Sequence, residues 1–173
     1  MSGDTILFYD LAGNLWQAGG GDAAAKSGQR PLENPAEIIW SANLKNIVKT
    51  GESQSAARYT FSDLTKGTTA PLRAGIKSVA FSPDASQIVY YISDGQSNAL
   101  FSSASDGRNQ RSLISAFRLR GVVLSWPKSN LIAFTSKPSG TSAGSLWTLN
   151  AASLAIAKMI DGLYGLEVLY APD

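Results

Sequence analysis

Three observations predict an all-β chain of four-stranded antiparallel blades. First, a phrase recurs: Trp40-Ser41-Ala42-Asn43-Leu44-Lys45-Asn46-Ile47-Val48 reads onto Phe81-Ser82-Pro83-Asp84-Ala85-Ser86-Gln87-Ile88-Val89 without a gap. Trp126-Pro127-Lys128-Ser129-Asn130-Leu131-Ile132 reads onto both with one residue deleted, and Tyr170-Ala171-Pro172-Asp173 opens a fourth copy. Second, the aromatic-to-aromatic spacing is 41, 45 and 44 residues, a period at which one supersecondary unit recurs because it cannot bury its apolar face alone. Third, short runs rich in Val, Ile, Tyr, Phe, Trp and Thr alternate with Gly, Asp, Asn, Ser and Pro, and nothing longer reads as a helix. Four such strands per period make the blade of a β-propeller, whose apolar faces stack around a central channel.

The elements follow in order. Residues 5–33 supply Thr5–Asp10, Gly13–Gly19 and Gln29–Glu33, read as the second, third and fourth strands of an incomplete blade. The blade at 37–73 reads as Glu37–Ser41, Asn46–Thr50, Arg58–Leu64 and Ala70–Arg73. The best-defined blade, 76–115, reads as Ile76–Ser82, Ser86–Ser93, Ala99–Ser105 and, after the turn Asp106-Gly107, Gln110–Ser115. The blade at 120–161 reads as Gly121–Trp126, Asn130–Ser136, Ser145–Asn150 and Ala157–Asp161. Leu166–Ala171, within 165–173, reads as the first strand of a further or closing blade. The expected fold is therefore about four blades' worth of strands in an open partial propeller. The alternative is a four-bladed ring in which Leu166–Ala171 pairs along Thr5–Asp10.

Composition narrows the chemistry. Hydrophobic residues make up 44% and charged residues 16% of the 173, a balance that supports a packed core. The net charge of +2 is small and dispersed, so no nucleic-acid partner is expected. The chain has no histidine and no cysteine. A Ser-His-Asp relay, His-containing zinc sites, disulfides, thiolate nucleophiles and iron–sulfur ligation are thereby excluded within it. The N-terminus does not read as a signal peptide, and no apolar run approaches the roughly 20 residues of a membrane span, so this segment is not expected to insert into a membrane.

The phrase Val79-Ala80-Phe81-Ser82-Pro83-Asp84-Ala85-Ser86-Gln87-Ile88-Val89-Tyr90, with Leu100-Phe101 and the turn Ser105-Asp106-Gly107 after it, resembles the repeat of TolB-type, WD-repeat-like bacterial propellers. The resemblance covers nearly the whole chain and is weakest over residues 1–35, where Gly19-Gly20-Gly21-Asp22 and Ala23–Ala25 read as a loop without counterpart. Ala85 stands where that family often has glycine. Leu124-Ser125-Trp126-Pro127, Lys137-Pro138-Ser139-Gly140 and Leu163-Tyr164-Gly165-Leu166 also resemble a group of uncharacterised bacterial propellers that carry a membrane anchor ahead of the repeats. That resemblance implies an envelope location for a full-length relative; the residues themselves leave the compartment open.

Several motifs invite a catalytic reading and fail on context. Gly140-Thr141-Ser142-Ala143-Gly144 matches a nucleophile elbow, which needs a strand before it, a helix after it and a histidine; here a strand is expected after it and histidine is absent. Ser125-Trp126-Pro127-Lys128 matches Ser-x-x-Lys, which works on a helical turn that Pro127 opposes. Gly19-Gly20-Gly21 lacks the Gly-Lys-Ser/Thr of a phosphate loop and reads as a hairpin loop. Asp84, Asp94 and Asp106 could ligate calcium but read more simply as turn formers bonding nearby amides. Trp16, Tyr59, Phe61, Phe101 and Trp147 occupy matching third-strand positions and read as packing between blades. No cofactor, metal or catalytic residue is expected.

Binding residues collect on loops of a rigid scaffold. In a propeller the loops from a fourth strand to the next first strand, and from second to third strands, open on one face. They carry Arg73, Lys77, Arg118, Arg120 and Tyr164, with Asp94, Gln96 and Lys137 beside them. The expected function is a non-enzymatic binding or scaffold module for a protein or carbohydrate-like partner. The alternative is an accessory propeller of a larger prolyl-oligopeptidase-like hydrolase whose catalytic domain lies outside this chain; a third possibility is a structural piece with no ligand.

Overall fold

A computed structural model describes residues 5–19, 22–26, 35–51, 59–93, 98–116, 119 and 121–170. These residues form fifteen strands and no helix. Three sheets have four strands and one has three, each an antiparallel meander in chain order. The first sheet is β1 (Thr5–Tyr9), β2 (Leu15–Gly19) and β3 (Asp22–Lys26); the second is β4 (Pro35–Trp40), β5 (Asn46–Gly51), β6 (Tyr59–Asp63) and β7 (Thr68–Pro71). The third is β8 (Ile76–Phe81), β9 (Gln87–Ser93), β10 (Asn98–Ala104) and β11 (Arg111–Ile114). The fourth is β12 (Val122–Lys128), β13 (Leu131–Ser136), β14 (Ala143–Asn150) and β15 (Ile156–Tyr164). No sheet closes on itself, and the whole is an open partial propeller.

The repeated phrase has a single physical meaning. After the first strand of the second sheet, Ser41 Oγ donates to Asn43 Oδ1 at 2.8 Å and accepts from Asn46 N at 3.0 Å. After the first strand of the third sheet, Ser82 Oγ donates to Asp84 Oδ1 at 2.6 Å and accepts from Gln87 N at 3.0 Å. The serine thus closes the tight turn from first to second strand by satisfying backbone groups that the reversal leaves without a ladder partner. Both turns place an L-residue in the left-handed region, Leu44 at φ 57° and Ala85 at φ 60°, a conformation that glycine adopts without strain.

Packing between sheets supplies the core. The β9 run Ile88-Val89-Tyr90-Tyr91-Ile92 is buried on both faces, which explains an uninterrupted apolar stretch where a half-exposed strand would alternate. Ile88, Tyr90 and Ile92 join Val48, Tyr59, Phe61, Leu72, Ile76, Val79 and Phe81 in one cluster. Val89 and Tyr91 turn the other way, into a second cluster with Leu100, Leu113, Val122, Leu124, Trp126, Ile132, Phe134 and Leu149. Polar bonds tie the same seam: Leu124 N donates to Ser78 Oγ at 3.1 Å, and Tyr91 Oη donates to Leu119 O at 3.0 Å.

The third-strand aromatics behave largely as inter-blade packing. Tyr59 and Phe61 are core residues, and Phe101 and Trp147 pack half-buried against the two clusters. Trp16 instead stacks on Phe8 at 6.5 Å, with its Nε1 donating to Asp10 Oδ2 at 2.9 Å.

Three expectations need correction. Ala23–Ala25, read as loop, lie in β3, because Gly19 pairs with Asp22 and the chain reverses between them. Alanine's weak strand preference yields there to the ladder. Gln29–Glu33 lies outside the described residues. Tyr164, assigned to a loop, ends β15 and pairs with Ala143, the ladder continuing past Asp161 through a bulge opposite Leu146. Finally, residues 166–170 form no strand. Gly165 N donates to Ser139 O at 2.8 Å, and Leu166 packs where a Cβ on Gly144 would sit 3.2 Å from it, so a glycine at 144 lets the tail close in on β14. Among the described residues, β1 pairs only with β2, not with this tail.

Candidate functional site

The first strands β4, β8 and β12 lie side by side and, with Tyr170, border an open cleft of about 770 Å³. Trp40, Phe81, Trp126 and Tyr170, the aromatics that mark the repeat, all line this cleft. Each stands at the same point of its unit, but Phe81 and Trp126, each 7% exposed, turn into the cores on either side of the third sheet, so the half-buried Trp40 and Tyr170 give the cleft its aromatic surface. Between them lie Ser78, Ser82 and Ser125; at the rim are Glu37, Lys77 and Lys137. Ser78 is held by the amide of Leu124, and Ser82 by its turn. Neither Lys77 nor Lys137 forms an ion pair with a described carboxylate, so the rim carries two cations against the single carboxylate of Glu37.

Of the residues singled out by sequence, the structure brings Lys77 and Lys137 to this cleft and leaves Arg73 and Tyr164 off it. Arg73 lies with its guanidinium 5.1 Å from the Phe101 ring centre and bonds Gln110 Oε1 at 3.5 Å. Tyr90 stacks on the same ring at 5.7 Å, and burial raises its phenol pKa against the opposing pull of Arg73. Arg73 therefore caps an aromatic stack. Tyr164 is 68% exposed on the outermost strand of its sheet. Asp94, Gln96, Arg118 and Arg120 lie outside the described residues. Glu37, Ser125, Trp40 and Tyr170 were not anticipated as site residues, although the recurrence of the aromatic was the signal that could have found the last two.

The motifs with catalytic likenesses are structural. Ser139 Oγ accepts from Thr141 N at 3.2 Å and Ser142 N at 3.1 Å, a local turn that delivers Ser142 straight into strand β14. No helix follows, so no elbow forms. Ser125 and Lys128 lie on strand β12 with a register shift between them, not on a helical turn, and only Ser125 reaches the cleft. Asp84 accepts from Ser82 and Ser86, which lowers its pKa, and Asp106 accepts from Arg108 N at 3.1 Å; both act as turn formers. Among the described residues, no group of three or more Asp, Glu, His or Cys is placed to hold a metal.

The geometry defines a β-propeller, and comparison with solved structures narrows the kind. TolB from Acinetobacter baumannii matches with TM-score 0.58 at 14% identity, over 89% of this chain and 40% of that one. A chain of a nidogen/laminin complex matches with TM-score 0.60 at 14% identity, over 94% of this chain and 63% of that one. The β-propeller domain of the trilobed protease from Pyrococcus furiosus, of open velcro topology, matches with TM-score 0.56 at 10% identity, over 92% and 53%. The fold is TolB-like, and the chain spans less than two-thirds of the length of each of these structures. No protein-family model matches the chain, and no curated protein matches it.

Proposed function

We propose that the chain is a non-enzymatic propeller module that binds a protein or carbohydrate-like partner in the cleft between its first strands. The observation that carries this reading is the coincidence of the half-buried Trp40 and Tyr170 with the exposed Lys77 and Lys137 on one open concavity. Aromatic faces supply apolar contact area suited to sugar rings and side chains alike. Cations at the rim orient polar groups and speed encounter more than they add affinity. The nidogen/laminin structure supports the idea that such a propeller is used in protein assembly.

A glycan array, together with crosslinking from a photoreactive residue at Val123 on the cleft wall, tests this reading. Binding is expected to disappear in the double variant Lys77→Glu, Lys137→Glu and to persist in Arg108→Gln. A bound partner indifferent to the double variant overturns it.

A second reading, an accessory propeller of a larger peptidase, is favoured by the likeness to the trilobed protease domain. The reading frame that encodes the chain separates the two: an α/β-hydrolase following residue 173 supports the peptidase, and further blades support the binding module.

A further inference from the structure

We propose that the notch between the third and fourth sheets, beside the turns β12–β13 and β14–β15, binds a small free organic carboxylate. The notch holds about 200 Å³, room for about seven waters, and so suits a compound of that size. Its third-sheet wall is Gln87, Ser102, Arg111 and Leu113; its fourth-sheet wall is Trp126, Ile132, Ser129, Asn130, Ala151 and Ala152. Ser102 and Arg111 are direct cross-strand partners and so share a face, the one that carries Leu100 and Leu113 into the core.

The seam thus changes character along its length. In the middle it is closed by Val89, Leu100, Phe134 and Leu149. At this end the lining turns polar, with the guanidinium of Arg111, the amides of Gln87 and Asn130 and the hydroxyls of Ser102 and Ser129 bordering one small space beside Leu113 and Ile132. Arg111 is exposed and makes a single long bond, Nη1 to Ala151 O at 3.5 Å. No described Asp or Glu lines the notch, so the cation there is uncompensated by the wall. A guanidinium presents its donors as a fork that matches a carboxylate, and the amide groups of Gln87 and Asn130 and the Ser102 hydroxyl can donate to the remaining lone pairs. The apolar side chains of Leu113 and Ile132 accommodate a short methylene chain.

The test is titration of the full chain with succinate, followed by NMR at the Trp126 indole N–H, with neutral succinamide as control. A saturable shift with succinate alone is expected, with Kd raised about tenfold or more in Arg111→Gln, only partly restored in Arg111→Lys, which keeps the charge without the fork, and unchanged in Arg108→Gln. Absence of saturation, equal binding of succinamide, or an affinity untouched by Arg111→Gln overturns the proposal. Trp126 also borders the larger cleft, so the double variant Lys77→Glu, Lys137→Glu is titrated alongside: its Kd is expected to be unchanged, and a shift lost there but kept in Arg111→Gln overturns the proposal.

Discussion

Leu44 and Ala85 occupy the same left-handed backbone position in successive units, at φ 57° and 60°. Each amide donates back to the serine that opens its turn, Leu44 N to Ser41 O at 3.0 Å and Ala85 N to Ser82 O at 2.9 Å. The ladder on either side fixes this conformation, so the side chains must tolerate the close approach of Cβ to the following carbonyl, at roughly 1–2 kcal/mol each.

Replacing Leu44 separates strain from packing. Both Leu44→Ala and Leu44→Gly delete the same outer atoms, but only glycine removes the Cβ. The glycine variant is expected to be more stable than the alanine variant by about 1 kcal/mol, the strain released less glycine's entropy in the unfolded chain. At Ala85, which is buried at 4% exposure, glycine also forfeits a packed methyl of about 0.8 kcal/mol, so Ala85→Gly is expected to be near neutral. Urea midpoints of the three variants check both.

The turn serines should be equivalent. Ser41 and Ser82 are 1% and 4% exposed, and each closes its turn with two side-chain bonds beside the strand. Ser41→Ala and Ser82→Ala each leave the amide of Asn46 or Gln87 without that acceptor, a loss of about 1–3 kcal/mol. Equal falls in the denaturation midpoint are the expected outcome; a difference well above 1 kcal/mol would show that the two turns are not the same device.

What was legible before the structure follows from this equivalence. A local rule, aromatic then serine, Asx and a left-handed residue, writes itself into consecutive residues, so the turn and its flanking strands could be read from order alone. Strand β3 could not, because its Ala-rich run has no strand preference and takes its conformation from the pairing of Gly19 with Asp22. The cleft was half legible. Trp40, Phe81, Trp126 and Tyr170 announced the repeat, but only the convergence of three first strands brings all four to one cleft, with Phe81 and Trp126 turned into the cores. The contact of Arg73 with Phe101 was not legible, because an exposed loop arginine carries no sign in the sequence of the ring 5.1 Å beneath it.

Trp147 and Phe134 are neighbours across β13 and β14, yet they differ in burial. Phe134 is fully buried, whereas Trp147 is half-buried and carries Lys158 Nζ 4.9 Å from its ring centre. Phe134→Ala is expected to destabilise by about 3–5 kcal/mol. Trp147→Ala is expected to cost about 2 kcal/mol, below the range for a fully enclosed aromatic. Paired denaturant curves test the order, and a larger loss at Trp147 would mean that its outer face is covered in solution.

Hydrolysis of ester, peptide and β-lactam substrates by the isolated chain is expected to stay at background. Ser142 passes directly into a strand, and Ser125 shares extended backbone with Lys128, so neither has a base positioned to deprotonate it. Turnover abolished by Ser142→Ala or Ser125→Ala is the result that would reverse this.

Strong acid should loosen the β1–β2 hairpin at Asp10. Asp10 Oδ1 accepts from Asn14 N at 2.8 Å, and its Oδ2 accepts from Asn14 Nδ2 at 2.8 Å and Trp16 Nε1 at 2.9 Å. Bonds from Asn14, then from Trp16, hold its pKa at about 2 against an ordinary 3.8. The folded hairpin therefore favours the charged carboxylate, and between these two values the unfolded chain binds more protons than the folded one. By linkage the contribution of Asp10 is complete above about pH 4 and is lost as the pH falls through about 2. The Trp16 indole N–H resonance, followed from pH 6 to pH 1.5, is expected to move toward its unbonded position with a midpoint near 2. In Asp10→Asn, which removes the titrating charge, that transition should vanish. A midpoint near 3.8 in the unmodified chain would show that Asp10 is not held by Asn14 and Trp16 in solution.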